Sequence, residues 1–183
     1  MKHTLLLAVA LAAGMTLCAS LQGGTGQRIL ALPEDLAGYR TWKTLTKAPY
    51  EIPLELWVQC IAPANADSEA TQKANGSRAQ RMIQVYANRD AERALKNEQN
   101  KGLPIGSILA KEKILIKDGS RPEFSGVAFM VKRSPDQFPE TGGWEFRYFP
   151  SNETDRGQIQ QACSGCHKTA RRDYVFAEHI SKK

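Results

Sequence analysis

Residues 107–117 read SILAKEKILIK, residues 124–133 read FSGVAFMVKR and residues 144–149 read WEFRYF. The three stretches are rich in the β-branched and aromatic residues that favour strands. The turn residues Asp118-Gly119-Ser120 separate the first two, and a loop at 135–143 separates the second from the third. Short connections of this kind are typical of consecutive antiparallel strands, and residues 81–87 predict a further strand before them.

Helical patterns flank these strands. Pro33-Glu34-Asp35 predicts the start of a short amphipathic helix, because proline and acidic residues are favoured in the first turn. Residues 90–99 predict a second helix, which Gly102 and Pro104 would end, and a third should begin near Thr154. The sequence therefore predicts an α+β domain, an antiparallel sheet with flanking helices.

The two central strands carry apolar residues on both faces, since side chains alternate along a strand. One face would hold Ile108, Ala110, Glu112, Ile114 and Ile116 of the first strand, and the other Leu109, Lys111, Lys113 and Leu115. In the second strand Val127, Phe129 and Val131 would share one face, and Phe124, Ala128, Met130 and Lys132 the other. Both faces of the sheet therefore need an apolar cover.

The five residues Cys163-Ser164-Gly165-Cys166-His167 form a C-x-x-C-H motif, the attachment signature of a c-type haem. Two thiols at this spacing can reach the two vinyl groups of one porphyrin, and the adjacent imidazole can ligate the iron. Such a haem could cover the second face of the sheet, with Lys111 or Lys113 near the porphyrin edge. For lysines in an arbitrary strand, however, the spacing alone favours surface positions with the ammonium groups in water.

Three other interpretations of the motif are a zinc knuckle, a redox C-x-x-C and a disulfide. The first needs a second pair of ligands and the second a thioredoxin-like βαβ context, and the sequence offers neither. The third would make the chain a structural exported module with Cys163 and Cys166 joined.

The N-terminus predicts a secretory signal peptide over residues 1–20 and a periplasmic protein. A short cationic start precedes an apolar run from Leu5 to Leu17, and Cys18-Ala19-Ser20 suits cleavage. The run is shorter than the roughly 20 residues of a membrane anchor. Lipidation at Cys18 is a minor alternative. Residues 21–183 would form one haem domain, with no membrane span in the mature chain.

The charge pattern does not favour nucleic-acid binding. The chain carries a net charge of +6, without a Lys/Arg cluster interleaved with aromatic residues. This basic surface would instead help to steer acidic redox partners. Cys60, which the haem motif does not use, lies among apolar residues and is expected to be a buried inert thiol.

The ordered set of motifs resembles the cytochrome P-460 family, which includes the beta-type cytochromes c'. The resemblance covers most of the mature chain. Its motifs are Tyr39-Arg40-x-Trp42, Val85-Tyr86-Ala87-Asn88, Gly106-Ser107-Ile108-Leu109-Ala110-Lys111-Glu112, Met130-Val131-Lys132, Gly143-Trp144-Glu145-Phe146, the haem motif and Asp173-Tyr174-Val175-Phe176.

The resemblance implies a covalently attached haem c, with Cys163 and Cys166 as thioether residues and His167 as the proximal iron ligand. Lys111 stands where the family's lysine before glutamate forms a second covalent bond to the porphyrin periphery, and Lys113 is the rival from spacing alone. The resemblance also suggests a homodimer and a five-coordinate iron.

Ala128 departs from the family pattern. Members that oxidise hydroxylamine carry a carboxylate at the matching position, and alanine can neither accept a proton nor order a water by an ionic hydrogen bond. Glu112 and Glu145 are other available carboxylates, although their strand faces do not place either over the iron. Met130 could close the sixth coordination position, but a methionine among strand apolars is usually packing.

Two functions follow. The first is a periplasmic mono-haem protein, possessing an apolar pocket around Phe129 or Phe124 and Ala128, that oxidises or binds hydroxylamine or nitric oxide and passes electrons to another exported cytochrome. The second is a non-enzymatic beta-type cytochrome c' that binds nitric oxide or carries electrons. Ala128 favours the second function, and Lys111 favours the first.

Overall fold

The computed structural model describes residues 32–53, 56–57, 79–97, 99, 102–151 and 160–177. Their centre is a six-stranded antiparallel sheet. The α+β class predicted from the sequence is confirmed. The predicted signal peptide at 1–20 and Cys60 lie outside the described residues.

The four long strands follow one another along the sheet. They are β3 (Gln80–Ala87), β4 (Ile108–Ile116), β5 (Glu123–Lys132) and β6 (Trp144–Pro150), each antiparallel to the next. Two short strands, β1 (Lys43–Thr44) and β2 (Tyr50–Glu51), pair with β3. The predicted strands therefore form, with ends shifted by one residue.

The helices are short. α1 (Glu34–Ala37) begins after Pro33 and leads into a 3-10 turn at Tyr39–Thr41. α2 (Arg89–Lys96) follows Asn88, whose side chain accepts a hydrogen bond from the Ala91 N–H and so caps the first turn. α3 (Gln160–His167) carries the C-x-x-C-H motif at its end. Within the described residues, no helix has the length and apolar character needed to cross a bilayer.

One side of the sheet, called the α1 face, packs against α1 and the following turn. Leu36 and Tyr39 are buried there against apolar side chains of β4, β5 and β6, namely Ile108, Ala110, Val127, Phe129, Val131 and Phe149. The ring of Phe129 meets those of Tyr39 and Phe149 edge to face. This face is therefore closed by the polypeptide itself.

The other side, called the cavity face, carries Leu109, Met130, Trp144, Phe146 and Tyr148. α2 and the segment after α3 cover part of it, with Ala91, Ala94 and Val175 in the same apolar cluster. The remainder of this face forms one wall of a cavity.

A bulge in β5 changes one predicted position. Lys113 lies opposite Gly126 and Ile114 opposite Phe124, so Ser125 is the extra residue and the alternation is reset. Phe124 therefore packs on the α1 face, and its predicted place beside Ala128 and Met130 is wrong.

Candidate functional site

The cavity has a volume of about 480 Å³ and lies between the cavity face, α3, residues 175–176, residues 50–53 and Leu56. Its lining is largely apolar, and includes Ile52, Ile83, Val85, Leu109, Ala128, Met130, Phe146, Val175 and Phe176. Phe129 also lines it, although the ring of Phe129 packs on the α1 face. Apolar cavities of a few hundred Å³ are the usual sites of small ligands and cofactors.

The end of α3 brings the three motif residues to this cavity. Cys163, Cys166 and His167 all line it, as expected for positions three and four residues apart on a helix. The two thiols are not joined in a disulfide. The structure therefore presents both sulfur atoms and the imidazole to one cavity.

The segment after α3 orients the imidazole of His167. Nδ1 of His167 lies 2.8 Å from the backbone oxygen of Tyr174, and a carbonyl oxygen can only accept. Nδ1 is therefore the protonated nitrogen, and Nε2 keeps its lone pair. The rings of Phe146 and Phe176 pack against the imidazole, at centroid distances of 5.3 and 5.5 Å.

The electrostatic surroundings keep this imidazole neutral. Burial and the nearby positive charge of Lys111 lower the pKa of His167 to about 4, and the hydrogen bond to Tyr174 opposes the shift. A neutral imidazole with a fixed tautomer is the form that binds iron.

The structure separates the two candidate lysines. Lys111 is partly exposed and lines the cavity, directly across the β4–β5 ladder from Ala128. Lys113 is fully buried, with its ammonium group 3.0 Å from the backbone oxygen of Trp57 and 4.4 Å from the Trp57 ring centroid. The expectation that both lysines lie along the surface is therefore wrong for Lys113.

Glu112 and Glu145 lie away from the cavity. Glu112 accepts hydrogen bonds from Arg40 and from the Tyr86 hydroxyl on the α1 face. Glu145 is paired with Arg133 at 2.8 Å. Neither is among the cavity-lining residues, so neither carboxylate can act over an iron held there.

Sequence reasoning missed three parts of the site. The Tyr174 carbonyl and the Phe176 ring belong to a segment quoted only as a motif, and backbone oxygens leave no signal in a sequence. Glu51 of β2 is the one carboxylate found among the described residues lining the cavity, and it is exposed. Its two-residue strand is too short to show a pattern.

These residues fit a c-type haem. The apolar walls suit a porphyrin, the two thiols can form thioethers, and the imidazole presents Nε2. A bare ion would need a different arrangement, and among the described residues no group of three or more His, Cys, Asp or Glu side chains could hold one.

Two comparisons with known proteins bear on this cofactor. A comparison with curated proteins found no match. The family model for cytochrome P460 matches residues 36–177, which is most of the chain and includes every element of the sheet and the C-x-x-C-H motif. The chain belongs to the cytochrome P460 family, and is a c-type cytochrome that binds haem c covalently.

Proposed function

We propose that this cytochrome has a single five-coordinate haem and acts on small nitrogen species in the periplasm, by oxidising hydroxylamine or binding nitric oxide. The observation that carries the proposal is a single cavity that is lined by Cys163, Cys166, His167 and Lys111. The bound haem would supply the redox-active iron.

His167 is the proposed proximal ligand, with Cys163 and Cys166 as the thioether residues. The hydrogen bond from Nδ1 to the Tyr174 oxygen fixes the ring orientation and increases the basicity of Nε2. Phe146 and Phe176 limit rotation of the ring and keep water from this side.

The sixth position is proposed to be open. Met130 is a methionine lining the cavity, but it is packed in the cluster that contains Leu109, Trp144 and Phe146. A thioether held among these side chains serves packing. The apolar wall near Ala128 would then admit a small ligand such as hydroxylamine or nitric oxide.

Lys111 is the proposed site of the second covalent bond to the porphyrin. It lines the same cavity as the motif residues, and its charge acts on the His167 imidazole, whereas Lys113 is held beneath Trp57. A bond from Lys111 would change the electronic properties of the ring and hence of the iron.

Oxidation of hydroxylamine releases electrons and protons, and both need acceptors. We propose another exported cytochrome as the electron acceptor, with the basic surface of the chain steering the encounter. Ala128 cannot accept a proton, and Glu51 is the cavity-lining carboxylate that could do so.

The second candidate function is non-enzymatic, a beta-type cytochrome c' that binds nitric oxide or carries electrons. Ala128 is the observation that favours it, because it places a methyl group on the cavity face where the oxidising relatives are expected to carry a carboxylate.

A steady-state assay of the haem-loaded protein with hydroxylamine and an artificial electron acceptor separates the two functions. Turnover supports the oxidase. Ferrous nitric oxide binding without turnover supports the cytochrome c' function, and a spectrum unchanged by either compound contradicts both.

The proposed location and assembly have their own checks. Export with removal of residues 1–20 would leave one domain over 21–183, and would place the protein in the periplasmic fraction with a new N-terminus at Leu21. The proposed homodimer is tested by light scattering of that mature protein.

A further inference from the structure

We propose that Lys132 and Asp173 are positioning residues for the haem iron, acting on His167 through the backbone carbonyl of Tyr174. The inference rests on the proposed role of His167 as the iron ligand. It assigns a function to a buried ion pair that touches neither the cavity nor the imidazole.

The carbonyl of Tyr174 is held in a strained turn. Asp173 and Tyr174 have φ angles of 46° and 65°, in the left-handed region that residues other than glycine seldom adopt. Such conformations are energetically costly, and they persist where the surroundings fix them. The turn therefore needs an anchor, because the Tyr174 oxygen must point at Nδ1 of His167.

The Asp173 carboxylate is that anchor. It accepts hydrogen bonds from Lys132 Nζ at 2.7 and 2.9 Å, from Trp144 Nε1 at 3.1 Å and from the Leu103 N–H at 2.7 Å. These donors belong to β5, β6 and the loop before β4. One side chain thus ties the turn to three separate parts of the fold.

Lys132 completes the arrangement. Its ammonium group also donates to the Gly142 oxygen at 2.8 Å and lies 4.9 Å from the Trp144 ring centroid. The side chains of Lys132 and Asp173 are only 10% and 13% exposed, so each charge depends on the other. Buried ion pairs are seldom the most stable choice for a core, which favours a role in fixing geometry.

The consequence for the iron follows from the hydrogen bond to Nδ1. A well-aligned acceptor increases the donor strength of Nε2 and favours the ferric state. If the turn relaxes, the Tyr174 oxygen no longer points at Nδ1 and the iron–imidazole bond weakens. The ferric–ferrous equilibrium then shifts towards the ferrous state.

The test compares Asp173→Asn and Lys132→Met in the haem-loaded protein. Both should shift the ferrous iron–imidazole stretching band to lower frequency and raise the reduction potential. We expect at least a threefold change in the ferric–ferrous equilibrium, or about 28 mV at 59 mV per tenfold change for one electron. Direct effects of charge would instead move the potential in opposite directions, because one variant removes a negative and the other a positive charge. Opposite shifts, or none, would overturn the inference.

Glu145→Gln is the control, since it breaks the ion pair between the buried Glu145 and the more exposed Arg133 on the opposite face of the same sheet, and it should leave the band in place. Trp144→Phe removes one donor to Asp173 and keeps an aromatic ring, and it carries the test if a charge variant does not accumulate. Trp144→Phe should shift the band and the potential in the same directions as the two charge variants, but by smaller amounts. No shift in Trp144→Phe would count against the inference.

His167→Gly separates this inference from the proposed function. Loss of the iron–imidazole band in that variant, with an unmoved band in Asp173→Asn and Lys132→Met, overturns the positioning role alone. A band that survives His167→Gly shows that another residue ligates the iron, and overturns both.

Discussion

At the residue scale, the two lysines of β4 show how neighbours in sequence acquire different chemistry. Lys111 and Lys113 lie on the same side of the strand, yet Lys111 lines the cavity and Lys113 binds the backbone of Trp57. The difference arises because Trp57 packs near Leu115 and over the Lys113 ammonium group, whereas Lys111 faces the cavity.

Lys111→Met should remove the proposed cross-link. The long-wavelength ferrous Soret band of a cross-linked haem would be replaced by ordinary c-haem absorption, while the thioethers to Cys163 and Cys166 remain. Lys113→Met is the control, and should keep the long-wavelength band because Lys113 lies outside the cavity lining. Loss of the band in Lys113→Met but not in Lys111→Met would show that Lys113 forms the cross-link, and would contradict the prediction.

Ala128→Glu should add a proton acceptor to the cavity. Ala128 lies directly opposite Lys111, so a carboxylate there would be within reach of a ligand in the cavity. Positioned general bases contribute about 10²- to 10⁴-fold, and we expect hydroxylamine turnover to rise at least about tenfold. Ala128→Gln adds similar bulk without a base, and equal turnover in both variants would contradict the prediction.

At the scale of elements, the bulge in β5 explains why the sequence predicted the strands but not every side-chain direction. Period-two alternation holds from Val127 to Val131, and the faces predicted there are correct. Ser125 interrupts it, and Phe124 lies on the other face from the one predicted. A glycine inside a strand often marks a bulge, as Gly126 does here, but it does not show which neighbouring residue is the extra one.

Gly126→Ala should destabilise the protein, because an added Cβ would lie 2.8 Å from the Phe149 backbone oxygen and 2.5 Å from the Tyr148 hydroxyl. Overpacking of this kind costs about 1–3 kcal/mol in the free energy of unfolding, measured by denaturant titration. Gly38→Ala is the control. Its φ is −86° and the nearest atom to an added Cβ is 3.9 Å away, so it should have no comparable effect.

Arg40 of the 3-10 turn and Tyr86 of β3 both donate hydrogen bonds to Glu112 of β4. This arrangement predicts that the stability of the protein depends on pH. Burial and the negative charge of Glu112 raise the pKa of Tyr86 to about 12. Since an unfolded tyrosine ionises near pH 10, the stabilising contribution of Tyr86 is complete below about pH 10 and is lost as the pH rises through about 12.

Tyr86→Phe should therefore reduce the loss of stability between about pH 10 and 12, by on the order of 1 kcal/mol after allowance for solvent screening. At about pH 8 the variant should be less stable by a similar amount, since the hydrogen bond to Glu112 is lost. Unfolding free energies at several pH values test this. Parallel curves of unfolding free energy against pH for the two proteins would show that Tyr86 does not contribute to the pH dependence.

At the scale of the whole molecule, the ordered motifs identified the family and the cofactor, because both depend on covalent spacing that is visible in the chain. Cys163, Cys166 and His167 follow from the motif alone. The carbonyl of Tyr174, the anchoring of Asp173 and the burial of Lys113 depend on how distant segments pack, so no local pattern could give them.

The central claim is that one haem is bonded to Cys163 and Cys166 within the cavity, with Lys111 beside it. The most direct measurement is mass spectrometry of the denatured mature protein, followed by proteolytic mapping. The account predicts the mass of the polypeptide plus one haem, carried by the peptide with both cysteines and bridged to the peptide with Lys111. A polypeptide mass without haem, or a haem bonded elsewhere, would contradict it.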